Sequence, residues 1–197
     1  MSRTLPGPVP YLVGWVHAIL GGAVWLLPAA LGIVASAAVP EPARFGVFAA
    51  TTVVLVLVSG LFRVSRTVSV RLGNALLDAK LPAVTTAGGL PARLRSAGWT
   101  MLHAALGAAL LVLGFQALFA AAALPAIWLG GGGDDATFYG ASPTVPDGWA
   151  GSWTVLAALV LVALVVGAGV GYLALLRRAA PALLGPGAAE RIAAVQR

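Results

Sequence analysis

The chain has no cysteine, which excludes disulfides, thiolate metal sites and cysteine nucleophiles. Charge is also scarce. Asp, Glu, Lys and Arg together fill 9% of the 197 positions, whereas a soluble domain carries roughly 25%. Too few charged groups are present to cover a water-facing surface. Histidine occurs only twice. No Ser-His-Asp set, paired catalytic carboxylates or nucleotide-binding motif is recognisable, so the chain is expected not to be an enzyme and to need no cofactor. What is abundant is apolar: 60% hydrophobic residues and a mean hydropathy of +0.96. The solvent for such a chain is lipid. A net charge of +6 would suggest nucleic acid in a soluble protein, but the basic residues flank apolar runs, where phospholipid head groups lie. The expected partner is therefore a bilayer and not a nucleic acid.

Four uncharged apolar runs approach or exceed the ~20 helical residues that cross a hydrocarbon core of about 30 Å. They span about 11–38, 45–62, 99–124 and 153–176. The expected fold class is all-α, a polytopic membrane protein of four transmembrane helices forming one membrane domain over 1–197. Pro28 should kink the first span. The linker 63–98 carries Arg63, Arg66, Arg71, Lys80, Arg93 and Arg95 against Asp78, and the tail 177–197 opens with Arg177 and Arg178. The connection 125–152 has no Lys or Arg and holds Asp134, Asp135 and Asp147. By the positive-inside rule, linker, tail and N-terminus face the cytoplasm and 125–152 faces outside. The dominance of Ala, Gly, Val and Leu and of Arg over Lys suggests a GC-rich bacterial genome, so the expected location is a bacterial plasma membrane. Ala35-Ser36-Ala37 resembles a signal-peptidase site. The apolar run before it is much longer than the usual 7–15 residues, so it is expected to stay uncleaved.

The two halves echo each other. Gly14-Trp15 precedes His17-Ala18-Ile19-Leu20-Gly21-Gly22-Ala23, and Gly98-Trp99 precedes His103-Ala104-Ala105-Leu106-Gly107-Ala108-Ala109. Both read G-W, a gap, then H-A-x-L-G-x-A. Each half would then be one hairpin, and with an even number of crossings per half the repeats are parallel. Both of the chain's histidines sit in the matched heptapeptide.

Few residues could carry chemistry. His17 and His103 titrate near neutrality and lie in or near spans, where an ionisable group is a functional candidate by default. Without intramembrane carboxylates the pair makes neither a proton relay nor a metal site by itself. A purely structural role, a neutral imidazole bonding between helices, competes with the functional one. Gln116 is the other polar group within a span, with Thr51, Thr52 and Ser59 available as interhelical partners. Ala163, Gly167 and Gly171 form a small-xxx-small packing ridge, within the molecule or between protomers. Gly130 to Gly133 lack the Lys of a phosphate loop and read as a flexible hinge. Val64, Val68, Leu72, Ala75 and Leu76 share one helical face, an interfacial amphipathic extension of the second span. Pro181 and Gly185-Pro186-Gly187 should break the chain after the fourth span, before a helix restarting at Ala188.

With its two hairpins, Arg-rich linker, Trp-led third span and the exit Arg177-Arg178-Ala-Ala-Pro-Ala-Leu-Leu-Gly-Pro-Gly-Ala-Ala-Glu-Arg191-Ile-Ala-Ala-Val, the chain resembles the four-helix membrane sensor domain of actinobacterial sensor histidine kinases. The resemblance covers most of the chain. It implies signal reception in a two-component system. The phospho-accepting helix and ATP-binding domain of those kinases are not in this sequence, so it would be a stand-alone sensor or a piece of a longer kinase. The expected function is a membrane-embedded signalling module acting on a protein partner: a histidine kinase, a second copy or a membrane complex. The alternative is an accessory subunit of a larger assembly such as a transporter.

Overall fold

In a computed structural model of the chain, residues 9–82 and 89–187 are described. They form six α-helices: α1 (Val9–Ala23), α2 (Leu26–Ala37), α3 (Glu41–Leu61), α4 (Arg63–Leu77), α5 (Leu90–Leu129) and α6 (Trp153–Leu184). No strand occurs among the described residues. Four stretches are long and apolar enough to cross a membrane: Trp15–Ala37, Glu41–Leu61, Leu90–Leu129 and Gly148–Leu184. The molecule is an all-α polytopic membrane protein.

The first stretch is broken where proline chemistry requires. Pro28 has no N–H for the carbonyl of Val24, and its ring crowds that carbonyl. The helix interrupts at Val24–Trp25, with Val24 and Trp25 bonding back three residues to Gly21 O (3.2 Å) and Gly22 O (3.1 Å) before α2 resumes. Pro125 and Pro181 do not act this way, and both lie inside continuous helices. The break expected at Pro181 is thus absent. α6 runs through Arg177, Arg178 and Pro181 to Leu184 and stops at Gly185. A membrane helix tolerates proline where surrounding groups re-satisfy the freed carbonyl. The helix expected from Ala188 lies outside the described residues.

Contacts divide the chain into two compact units. Among the described residues, the first comprises 9–82, 89–108 and 172–187. α2 packs on α3 so closely that a β-carbon at Gly32 would sit 2.5 Å from Thr52 Oγ1 and 3.0 Å from Phe48 O. α3 meets α5 in the same way, with Gly60 against Ala97 and Thr100. α4 turns inward the face bearing Arg66, Val70, Gly73 and Leu77. The apolar face read from its sequence points outward, with Val64 and Val68 72% and 48% exposed. In water the apolar face would be the buried one. In the interfacial helix expected from the sequence, the apolar face is left for the membrane surface and the small and polar face serves the protein contact. Beyond α4, Asn74 clamps the chain reversal by donating to Leu81 O (2.8 Å) and accepting from Leu81 N (2.6 Å).

The second unit comprises residues 109–171. Its core is Ala120, Leu124, Ala136 and Val145, with Ile127, Trp128, Phe138, Ala157 and Leu161 packed around. The connection from α5 to α6 is ordered. Gly133 N bonds Val145 O (2.8 Å), Val145 N bonds Asp134 O (3.0 Å), and Phe138 and Ala141 exchange both backbone bonds at 2.9 Å. Tyr139 (φ 49°) and Gly140 (φ 76°) make the two-residue left-handed reversal that suits such a pair. The glycine run, expected as a flexible hinge, is a hydrogen-bonded turn. Gly131, Gly132 and Gly133 all have positive φ, and Gly132 N bonds Ile127 O at 3.0 Å.

Candidate functional site

The only two histidines in the chain meet inside the first unit. α5 turns inward a stripe at three- and four-residue spacing: Ser96, Trp99, Thr100, His103 and Gly107. α1 presents His17, Ala18 and Gly21, all buried. The imidazole rings of His17 and His103 lie 4.3 Å apart between centroids, tilted by 32°. His103 Nε2 donates to the backbone carbonyl of His17 at 3.0 Å. A carbonyl oxygen can only accept, so neutral His103 carries its proton on Nε2.

The rest of the repeated heptapeptide explains how the rings come so close. A β-carbon at Gly21 would fall 2.6 Å from His103 O and 3.0 Å from His103 Nε2. One at Gly107 would fall 2.7 Å from Ala18 O and 2.8 Å from Gly22 N. Ala18 and Ala104, the residues after each histidine, are both 0% exposed. Each heptapeptide thus supplies a glycine on which the other helix rests. Small residues at a membrane helix contact let the backbones approach, and here the approach sets the imidazoles face to face.

Two further aromatic groups complete the cluster. Trp99, 1% exposed, stacks on His103 at 5.9 Å and 23°. Tyr172 on α6 lies 6.3 Å from His17 and 6.5 Å from His103. Tyr172 is fixed by α6's inward stripe of Leu173, Leu176, Ala180 and Leu184. Both ring nitrogens of His17 and the Tyr172 hydroxyl are buried without a hydrogen-bond partner among the described residues. Leaving such a group unpaired costs about 1–3 kcal/mol, so the cluster keeps hydrogen-bonding capacity that its own packing does not use.

Beside Trp99, and one turn towards the start of α5, the inward face is polar. Thr100 Oγ1 donates to Ser96 O at 3.0 Å and lies 3.4 Å from Ser65 Oγ on α4. Arg66, read from the sequence only as a topology determinant, is 8% exposed and places Nη2 3.5 Å from Leu184 O at the end of α6. A cation there complements the negative end of the helix dipole. Arg63, Arg71, Arg177 and Arg178 are exposed.

The remaining candidates are not brought to this cluster. Gln116 belongs to the second unit and is half-buried. Of the hydroxyls proposed as its partners, Thr52 and Ser59 donate within their own helix, Thr52 to Phe48 O and Ser59 to Val56 O. Ala163, Gly167 and Gly171 are exposed, and β-carbons at Gly167 and Gly171 would meet nothing within 4 Å. The ridge is therefore uncovered by the described residues. Tyr172 and Trp99 are the members that sequence reasoning missed. Tyr172 is the single phenol within the fourth apolar run, and Trp99 precedes His103 by one helical turn. Among the described residues no three His, Asp or Glu side chains converge as metal ligands. No protein family, no curated protein and no solved structure matches the chain.

Proposed function

We propose that this chain is a membrane-embedded signalling module, without catalysis of its own, that passes a change at the His17–His103–Tyr172 cluster to a protein partner. The observation that carries the reading is where the cluster sits in the helices. It joins α1, α5 and α6, and α6 continues unbroken from Tyr172 to Leu184. The twelve steps between them make a rod of about 18 Å. The rod ends at Leu184 O against Arg66 of α4. A shift of Tyr172 is therefore carried along a stiff element to the end of the helix, without a hinge at Pro181.

The same contact supports a topology with both termini in the cytoplasm of a bacterial plasma membrane. Arg66 brings the Arg-rich segment after α3 to the Arg177-Arg178 end of α6. Both basic segments then face the side that the positive-inside rule assigns to them. The resemblance to the membrane sensor domains of histidine kinases agrees with this arrangement, and the partner would be a kinase, a second copy or a membrane complex. The uncovered ridge Ala163, Gly167 and Gly171 is a helix-packing surface open to such a partner.

One rival has an observation of its own. That ridge would equally suit an accessory subunit packed in a transporter. Purification from native membranes in mild detergent, followed by mass spectrometry, separates the two. The signalling reading expects a histidine kinase or response regulator in the complex. Stoichiometric recovery of transport subunits alone would overturn it.

A further inference from the structure

We propose that the His17–His103 pair binds a single proton, and that taking it up loosens the crossing of α1 and α5. This names the signal for the reading above, and rests on that reading only for the claim that the proton is a signal. The pair holds lone pairs that its packing does not use. With Nε2–H donating to His17 O, neutral His103 keeps a lone pair on Nδ1. His17 carries one further lone pair, and neither of its ring nitrogens is bonded. Two basic sites therefore lie in rings 4.3 Å apart between centroids. A proton needs no cavity, which suits a cluster packed this closely.

The number of protons follows from the separation. Two imidazolium charges 4.3 Å apart repel strongly enough at an effective dielectric near 20 to suppress the second uptake on the order of a thousandfold. The pair behaves as one macroscopic site and not as two independent residues. The proton comes from water and returns to it, and no bond to carbon changes.

The mechanical consequence follows from what surrounds the pair. No Asp, Glu, Lys or Arg lies within the apolar runs that carry His17, His103 and Tyr172. Of the titratable groups on the packed elements, Tyr172 of α6 lies against the pair and Arg66 of α4 is buried, while Arg63 and Arg71 of α4, Arg93 of α5 and Arg177 and Arg178 of α6 are exposed and Arg95 of α5 is half-buried. Arg66 reaches Leu184 O, about 18 Å along α6 from Tyr172. Tyr172, its ring 6.3 Å from that of His17, makes no hydrogen bond to it, and no carboxylate in these runs neutralises the new cation. A buried ion in that position draws in water or leaves its seat. The seat has no slack, because Gly21 would bring even a methyl group to within 3.0 Å of His103 Nε2. Hydrating the charged ring therefore requires α1 and α5 to part.

The test uses the full chain in lipid nanodiscs. With two histidines in the sequence, ¹⁵N-histidine labelling gives one pair of ring-nitrogen signals for each. A titration between about pH 4 and about pH 9 is expected to move both rings in one transition with a shared midpoint. In His103→Phe, the His17 signals should titrate at a midpoint shifted by at least about one pH unit. A spin-label pair at Ile19→Cys and Ala105→Cys, both on exposed positions of a cysteine-free chain, should report a longer α1–α5 distance across the wild-type transition. Rings that stay unmoved over the whole range, or that titrate independently, overturn the single-proton site. A shared transition with an unchanged label distance overturns the coupling. A titrating, loosening pair in a protein that captures only transport subunits would leave this inference standing and remove the signalling reading.

Discussion

Gly107→Ala is expected to destabilise the protein by about 2–3 kcal/mol, measured as a shift in the detergent-denaturation midpoint. The new β-carbon would lie 2.7 Å from Ala18 O and 2.8 Å from Gly22 N, and both atoms are backbone of α1. A side chain could rotate out of the way, but a helix backbone cannot. The choice is between distorting α1 and withdrawing α5, and withdrawal also lengthens the His103 Nε2–His17 O bond of 3.0 Å. Intrinsic propensity works the other way, since alanine favours a helix interior over glycine by about 1 kcal/mol. A net loss therefore reports the contact and not the helix. Gly167→Ala is the matched control. Its β-carbon meets nothing within 4 Å, so its effect should stay within about 0.5 kcal/mol, or be mildly stabilising. Equal losses in the two variants would mean that the crossing is not as close as described.

The second large effect is local. Gly132→Ala should cost about 3 kcal/mol, combining a left-handed backbone that costs a β-carbon about 1–2 kcal/mol with a clash of similar size. Gly132 has φ 74°, and its β-carbon would lie 2.6 Å from Asp147 N. The damage should spread through the α5–α6 connection, because Gly132 N–Ile127 O and Gly133 N–Val145 O hold its two arms together. Trp128 reports it. Its Nε1 donates to Gly148 O at 2.6 Å, and release of that bond should increase proteolysis within 130–150. The neighbouring Gly131→Ala shares a positive φ (113°) but has nothing within 4 Å. It should therefore suffer from conformation alone and lose less. Identical proteolysis in both variants would argue against the packed turn.

These two glycines mark the limit of what could be read from the residues. The chain holds 25 glycines, and their spacing does not say which touch another helix. Gly107 and Gly171 look alike in sequence, yet one rests on α1 and the other is open. The four spans were legible because an uncharged run of some twenty apolar residues has one common physical meaning. The break before Pro28 was legible because it follows from a missing donor in the same helix. Pro181 shows the converse, since whether a proline breaks a helix depends on neighbours the local sequence does not name.

The apolar stripe of α4 was legible, but which residues its other face would bury was not. Binary patterning places apolar residues inside only when the outside is water. In α4, as in the interfacial helix expected, Val64 and Val68 turn out, while Arg66 and Gly73 turn in. In the cluster, His17 and His103 stood out as the only two imidazoles, both in a repeated motif. Tyr172 did not, because a lone phenol in an apolar helix gives no periodic signal. Its partnership with the histidines exists only once α6 is placed beside α1 and α5.

The central claim is that the repeated heptapeptides pack against each other and bring the two imidazoles into contact inside the membrane. Solid-state NMR of ¹³C-histidine-labelled protein in lipid bilayers tests it directly, because any ring-to-ring correlation between different residues can only join His17 to His103. With centroids 4.3 Å apart, a strong inter-residue ring cross-peak is expected, and it should vanish in His17→Phe and in His103→Phe. Two resolved histidine spin systems with no cross-peak between them at long mixing time would contradict the account.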